Sequence, residues 1–315
     1  LLKDRFSKLH VRLLSTREAV IGLLSLAGVG KGSSGIACLS FRGDVSERLL
    51  TRKSRRPKLA VANISPGRGT FVTAPHRLAC DTIVFASTQR TGSTALATTL
   101  SASKVTRQSY EWFGQGHFDK KIRHFLPEFH DLPATAEELK RYVRAIRDFD
   151  AGSGLPVSLM LHNYQFDLLR ELGVRRLEEL FGDCLYVYNL RGDIYYQAVS
   201  LHIAIQTQQW VSAQERIAEP SYDFESIDRL VNWISQDCES WLAYFRQNGI
   251  VPFHAAYERF AQDPRAATQL LLDWLGMPGQ AVETTTLQRQ ASGLNTDFYH
   301  RYLAECGTRR ALQDP

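Results

Sequence analysis

Thr82-Ile83-Val84-Phe85-Ala86-Ser87, followed directly by Thr88-Gln89-Arg90-Thr91-Gly92-Ser93-Thr94 and then by Ala95-Leu96-Ala97-Thr98-Thr99-Leu100, decides how this chain is read. The first six residues form a short, largely apolar run rich in β-branched side chains, the texture of a strand covered on both faces. The last six read as a helix. A glycine turn with small hydroxyl residues joins them. Such a unit binds anions, because a helix N-terminus presents unpaired N–H groups and the positive end of the helix dipole, and glycine lets a phosphate approach the backbone. Arg90 adds a planar, permanently charged fork suited to phosphate or sulfonate oxygens. The competing reading is that Thr91 to Thr94 merely cap a core helix, a common use of Ser and Thr.

Outward from this unit, further strands are expected at Val157 to Leu161, Cys184 to Leu190 and Ile250 to Ala255. Ile227, Leu230, Val231, Ile234, Cys238, Trp241, Leu242 and Phe245 recur at three- and four-residue steps, which predicts a long amphipathic helix over Phe224 to Gln247. Strands alternating with helices predict an α/β fold, a parallel sheet with helices on both faces. Ligands of such folds lie beyond the carboxyl ends of the strands.

A second constellation follows the strand that ends at Leu190. After Arg191-Gly192-Asp193 comes a helix on which Asp193, Gln197, Ser200 and Thr207 fall within one narrow stripe, with Asp193 a natural N-cap. Arg191 at a strand end and Ser200 two turns into the helix suit a second phosphate. Ile194, Ala198, Leu201 and Ile205 occupy the other faces, so an ordinary helix with a solvated side remains the alternative.

Charge is distributed unevenly. Residues 1 to 80 hold 15 of the 38 basic and 4 of the 33 acidic residues, leaving the remainder net negative. With its Gly/Ser stretch Gly28 to Gly35 and basic run Arg52 to Lys58, the segment 1–78 is expected to be a largely disordered extension; a transit peptide, or contact with nucleic acid or anionic lipid, is the alternative. Gly28-Val29-Gly30-Lys31-Gly32 lacks the first glycine and the Ser/Thr of a Walker loop. The one apolar stretch, Ala19 to Val29, is far short of the roughly 20 residues of a membrane helix. Five cysteines, odd in number and without a CxxC pair, indicate neither a disulfide framework nor a zinc site, and make a reducing, cytoplasmic setting the default. The globular domain is expected over 79–306, with a flexible tail at 307–315.

The pieces QRTGST, RQSYEWF and RGDIYYQAVSLHIAIQTQQW, in that order after a strand, resemble the Stf0 family of bacterial carbohydrate sulfotransferases over roughly Asp81 to Leu303. Tyr257-Glu258 with Asp263-Pro264, and Leu287-Gln288-Arg289-Gln290 with Asn295, agree with it. The resemblance implies a P-loop-like sulfotransferase fold, 3'-phosphoadenylyl sulfate (PAPS) as donor, no metal, and a carbohydrate or glycolipid acceptor, trehalose-like sugars above all. It implies a homodimer, and no nucleic acid partner for the catalytic body. By the same resemblance Arg90, Thr91, Gly92, Ser93 and Thr94 bind the 5'-phosphosulfate end of the donor, and Arg191 and Ser200 its 3'-phosphate. Gln89, Gln108, Ser109, Tyr110, Glu111, Trp112, Phe113 and Gly114 line the acceptor, Glu111 is the general base, and Arg289 and Gln290 belong with the donor. The chain departs from the family at Gly192, where many relatives carry a charge, and at Phe298-Tyr299, which replaces a tryptophan.

Sulfuryl transfer needs a deprotonated hydroxyl in line with the breaking S–O bond and stabilisation of charge on the leaving phosphate, so positioning and electrostatics dominate, as in phosphoryl transfer. Arg90 and the backbone donors of Gly92 to Thr94 suit the leaving group. Glu111 suits the base, with the rings of Tyr110 and Trp112 expected either to desolvate its carboxylate or to stack on a sugar; His117, followed by His124 and His130, is the second candidate. A magnesium-dependent kinase of P-loop type and a degenerate, non-enzymatic binding protein are the rival readings.

Overall fold

The structure, a computed structural model, describes residues 80–114, 122–211, 214–283 and 293–311. The basic segment 1–78, His117, Arg289 and Gln290 lie outside the described residues, as do residues 116–121 of the loop from 116 to 132. In chain order the elements are β1 (Thr82–Ser87), α1 (Ser93–Ala102), α2 (Arg123–Phe125), α3 (Ala136–Asp148), β2 (Val157–His162), α4 (Asn163–Glu171) and α5 (Glu178–Phe181). There follow β3 (Cys184–Leu190), α6 (Ile194–Thr207), α7 (Phe224–Asn248), β4 (Phe253–Ala256), α8 (Tyr257–Gln262), α9 (Pro264–Trp274) and α10 (Gly293–Ala311).

The four strands form one parallel sheet in the order β2-β1-β3-β4. β1 is central and buried along its whole length, as its unalternating sequence requires. Its side chains divide by parity: Ile83 and Phe85 pack with Leu96, Leu100, Leu271 and Leu272 of α1 and α9, whereas Val84 and Ala86 pack with Tyr142, Phe166 and Trp241 of α3, α4 and α7. Trp241 is fully buried, and truncating such a ring to alanine typically costs about 3–5 kcal/mol. A third cluster joins α6, α7 and α10. Because the chain leaves β1 for β2 on one side and β3 lies on the other, the order reverses at β1, and the crevice this opens lies at the carboxyl ends of β1 and β3.

The long helix starts where Asp223 accepts the Ser226 N–H at 3.0 Å and ends at Gly249, whose φ of +64° the missing Cβ permits. The strand expected from Ile250 begins only at Phe253. The Ile250 N–H is taken by the carbonyl of Phe245 at 2.9 Å, closing the helix, and Pro252 has no N–H to give a sheet. At the other end α10 continues through Ala311, into the stretch 307–315 expected to be a tail. Arg309 fastens that end, donating to Glu225 at 2.6 Å with its guanidinium 3.9 Å from the Phe224 ring centre. No helix among the described residues is long and apolar enough to cross a membrane.

Candidate active site at the carboxyl ends of the strands

The turn after β1 is built from an unusual backbone. Arg90 and Gly92 both have positive φ, +66° and +75°, a conformation costing a non-glycine residue about 1–2 kcal/mol. Gly92 is the N-cap of α1, and no side chain caps that helix; the reading of Thr91 to Thr94 as simple caps therefore fails. Thr91 is buried and donates to the Thr88 carbonyl, Ser93 is buried and Thr94 is exposed. A Cβ on Gly92 would lie 3.0 Å from Cδ2 of Tyr257, so the turn has room for backbone only.

The stripe on α6 faces inward. Gln197, Ser200 and Thr207 are buried, and the alternative of a solvated polar side is thereby excluded. Gln197 donates to Oγ1 of Thr88 at 2.7 Å and to the carbonyl of Gln89 at 2.6 Å, tying the β1 turn to α6. Asp193 caps the helix, as its position predicts, by accepting the Tyr196 N–H at 2.8 Å.

Arg90 and Arg191 meet here. The guanidinium of Arg90 donates from Nε to Ser200 Oγ at 3.1 Å and from Nη1 to the Trp210 carbonyl at 2.9 Å, which holds its strained backbone in place. Arg191 donates from Nη1 to the Arg90 carbonyl at 3.2 Å, and its guanidinium lies over two rings, 4.2 Å from Tyr257 and 5.1 Å from Tyr196. Glu258 accepts the Gly192 N–H at 3.0 Å and pins this corner to α8. The two groups of residues expected to hold phosphates thus adjoin one another, and Arg90 touches both Ser200 and Arg191. Burial and then the charge of Arg191 push the Arg90 guanidinium down to about 10, and burial lowers Arg191 as well. Arg191 Nε is buried with no hydrogen-bond partner. Two desolvated cations side by side and an unsatisfied buried N–H call for an anion.

Glu111 comes to the same end of the sheet by a different route. Tyr110 forms a single parallel bridge to Leu159, its carbonyl accepting the Met160 N–H at 3.3 Å, so residues 108–114 run beside the open edge of β2. Tyr110 and, through the turn that follows it, Trp112 and Phe113 point into the core, and Glu111 points the other way. Tyr110 packs against Trp112 and Phe125 with centroids 5.0 and 4.7 Å apart, and Phe113 against Tyr142. Tyr110, Trp112 and Phe113 are core residues. The expectation that the Tyr110 and Trp112 rings flank the carboxylate or face a sugar is corrected accordingly.

What flanks the carboxylate is β2 and α4. Glu111 Oε1 lies 3.8 Å from His162 Nε2, and Oε2 accepts from Gln165 Nε2 at 3.4 Å. Gln165 also donates to the Tyr164 hydroxyl at 3.3 Å, which accepts from Gln89 at 3.4 Å. Glu111 and the β1 turn therefore share one hydrogen-bond network. Gly114 closes the Glu111 turn, its N–H donating to the Glu111 carbonyl at 2.9 Å, and a Cβ there would sit 3.3 Å from Gln165 Nε2. Gln108 is exposed, and the Oγ of the half-buried Ser109 has no partner. His124 and His130 are exposed. His162, Tyr164, Gln165 and Asp237 were missed by sequence reasoning; His162 alone carried a signal, as the residue directly after the strand expected to end at Leu161, where ligands of parallel sheets gather.

These features define a class, a parallel α/β protein with two adjoining guanidiniums and a half-buried carboxylate at its switch point. The family model of the Stf0 sulphotransferases matches residues 82–305, and the chain belongs to that family. It is similar to the trehalose 2-sulfotransferases of Mycobacterium tuberculosis, 28% identical over 123 residues, and of Mycolicibacterium smegmatis, 25% identical over 123 residues. Each match covers 38% of this chain and 46% of the relative, so the chain spans about half the length of these curated relatives.

Proposed function

We propose that the protein transfers a sulfuryl group from PAPS to a hydroxyl of a carbohydrate or glycolipid, a trehalose-like sugar first among candidates, with Glu111 as general base. The observation that carries this reading is the network Gln89, Tyr164, Gln165, Glu111, which joins the base candidate to the anion-binding turn. The buried, unpaired Nε of Arg191, the neighbouring Arg90 and the close approach allowed at Gly92 fit a ligand with more than one phosphate.

When bound, PAPS supplies the sulfuryl group and, as leaving group, adenosine 3',5'-bisphosphate. The chain's residues do the rest. The backbone at Gly92 to Thr94 and the dipole of α1 hold the 5' end, while Arg191, which lies over the rings of Tyr257 and Tyr196, and Ser200 hold the 3'-phosphate. Arg90, pinned by Ser200 and the Trp210 carbonyl, provides fixed positive charge for the negative charge that grows on the leaving group. Glu111 takes the proton of the acceptor hydroxyl.

Incubation with radiolabelled PAPS and a panel of trehalose, lipid-linked sugars and oligosaccharides should label at least one acceptor, and adenosine 3',5'-bisphosphate should bind more tightly than ATP. Magnesium-dependent ATP turnover with no sulfuryl transfer would overturn the reading in favour of a kinase.

A further inference from the structure

Beside Glu111 lies a histidine that has no role in the reaction as described so far. His162 is the last residue of β2 and is buried. Its Nδ1 lies 3.2 Å from the carbonyl oxygen of Ser87, the last residue of β1, and 3.1 Å from the Ser87 hydroxyl. A carbonyl only accepts, so Nδ1 carries hydrogen and Nε2 is the position that gains or loses a proton. That nitrogen faces Glu111 Oε1 at 3.8 Å.

The ring cannot swing away. Its backbone N–H donates to Gln165 Oε1 at 2.9 Å, Tyr164 stacks on it with centroids 5.8 Å apart and planes 18° apart, and Trp241 Nε1 donates to the same Ser87 carbonyl at 3.1 Å. The charged or titratable groups around it are Glu111 from the segment along β2, Asp237 from α7 and Tyr164 from α4. Burial opposes charging of the imidazole, but the nearby Glu111 carboxylate, the charge of Asp237 and the Ser87 carbonyl outweigh it, and the net shift is upward.

We propose that His162 is a positioning residue that acts through Glu111, holding the carboxylate ionised and aimed while anchoring it to the carboxyl end of β1. The inference rests on Glu111 being the base. In the step it serves, the O–H bond of the acceptor breaks, its proton passes to a Glu111 carboxylate oxygen and its electron pair forms the new O–S bond. The old S–O bond breaks and its pair leaves with the bisphosphate. A protonated His162 favours the charged form of Glu111 before that step. The carboxylate then stays available as a base to lower pH than it otherwise would.

The test uses the full chain with His162→Gln, which keeps an N–H toward Glu111 but cannot titrate, His162→Asn as a second variant, and Glu111→Gln. Retained affinity for adenosine 3',5'-bisphosphate marks the variants as folded. His162→Gln is expected to lower kcat about 10- to 100-fold by loss of positioning, with acceptor KM within about twofold. It should also move the acidic limb of kcat/KM to higher pH, because Glu111 loses its cationic neighbour. An acidic limb unmoved in both His162 variants overturns the proposal. Without any turnover, NMR titration of the His162 ring should show its pKa falling in Glu111→Gln, and an unchanged titration likewise overturns it. Full sulfuryl transfer by Glu111→Gln, by contrast, removes Glu111 as base and so the reading on which the inference rests.

Discussion

Arg191 Nη1 reaches the carbonyl oxygen of Arg90 at 3.2 Å, so the residue after β3 holds the strained turn after β1 and sets two guanidiniums side by side. A contact between strand ends distant in sequence thereby brings two cationic side chains together. Burial and then the charge of Arg191 make the Arg90 cation costlier, and burial makes the Arg191 cation costlier.

Arg191→Ala should therefore weaken adenosine 3',5'-bisphosphate by about 10- to 100-fold, the loss of a charge-assisted contact worth ~1.5–3 kcal/mol. Arg191→Lys keeps the charge but not the planar group that lies over Tyr196 and Tyr257, and should still lose about 3- to 10-fold. Isothermal titration on both variants checks this, and wild-type affinity in Arg191→Ala would show that Arg191 does not contact the ligand.

Gly92→Ala should fail for two reasons. The backbone at φ +75° would carry a side chain, and its Cβ would press on Tyr257 at 3.0 Å. The first alone costs about 1–2 kcal/mol, and the second displaces the ring on which Arg191 rests. Lower thermal stability together with weaker bisphosphate binding is the expected pair of results. Loss of stability with binding intact would separate the turn from the anion site.

Gln197→Leu should destabilise by about 1–3 kcal/mol, because the buried Thr88 hydroxyl and the half-buried Gln89 carbonyl lose their donor. Gln197 makes two bonds to the turn, at 2.7 and 2.6 Å, and is itself buried. In a domain of this size each kcal/mol lowers Tm by about 2–4 °C. Calorimetry at neutral pH reads the effect directly.

Asp237 sets a pH dependence of stability. Its Oδ2 is buried without a partner, and burial pushes its carboxyl up to about 7, against the charge of His162 and the backbone N–H groups of Asn163 and Tyr164. A folded-state value above the unfolded one means that the proton binds the fold more tightly. The contribution is complete below about pH 4 and disappears as pH rises through about 7. Asp237→Asn carries no such charge, so its melting temperature should gain on wild type between pH 5 and pH 8. A constant difference across that range would refute the assignment.

Much of the site was legible in the chain itself. The run from Thr82 to Thr94 announced a strand, a turn and a helix because strand burial, glycine and helical texture are local signals, and the RGD corner with its Asp193 cap followed the same rules. Two features resisted. Beyond its place after a strand, nothing local marked His162, since its partners Ser87 and Glu111 are separated from it by 75 and 51 positions. The aromatic flanks of Glu111 suggested a surface and proved to be core, because only the bridge to Leu159 and the turn after it decide which way these side chains point.

The amino-acid sequence by itself determined the parallel α/β class, the glycine turn with its arginine, and membership of the Stf0 family, because each depends on residue type and short-range spacing. Tertiary structure alone decided that Arg90 bridges two expected phosphate sites, that the α6 stripe is buried, and that Glu111 rests on His162. Strand order and edge pairing bring those groups together, and neither is written in any local stretch of sequence.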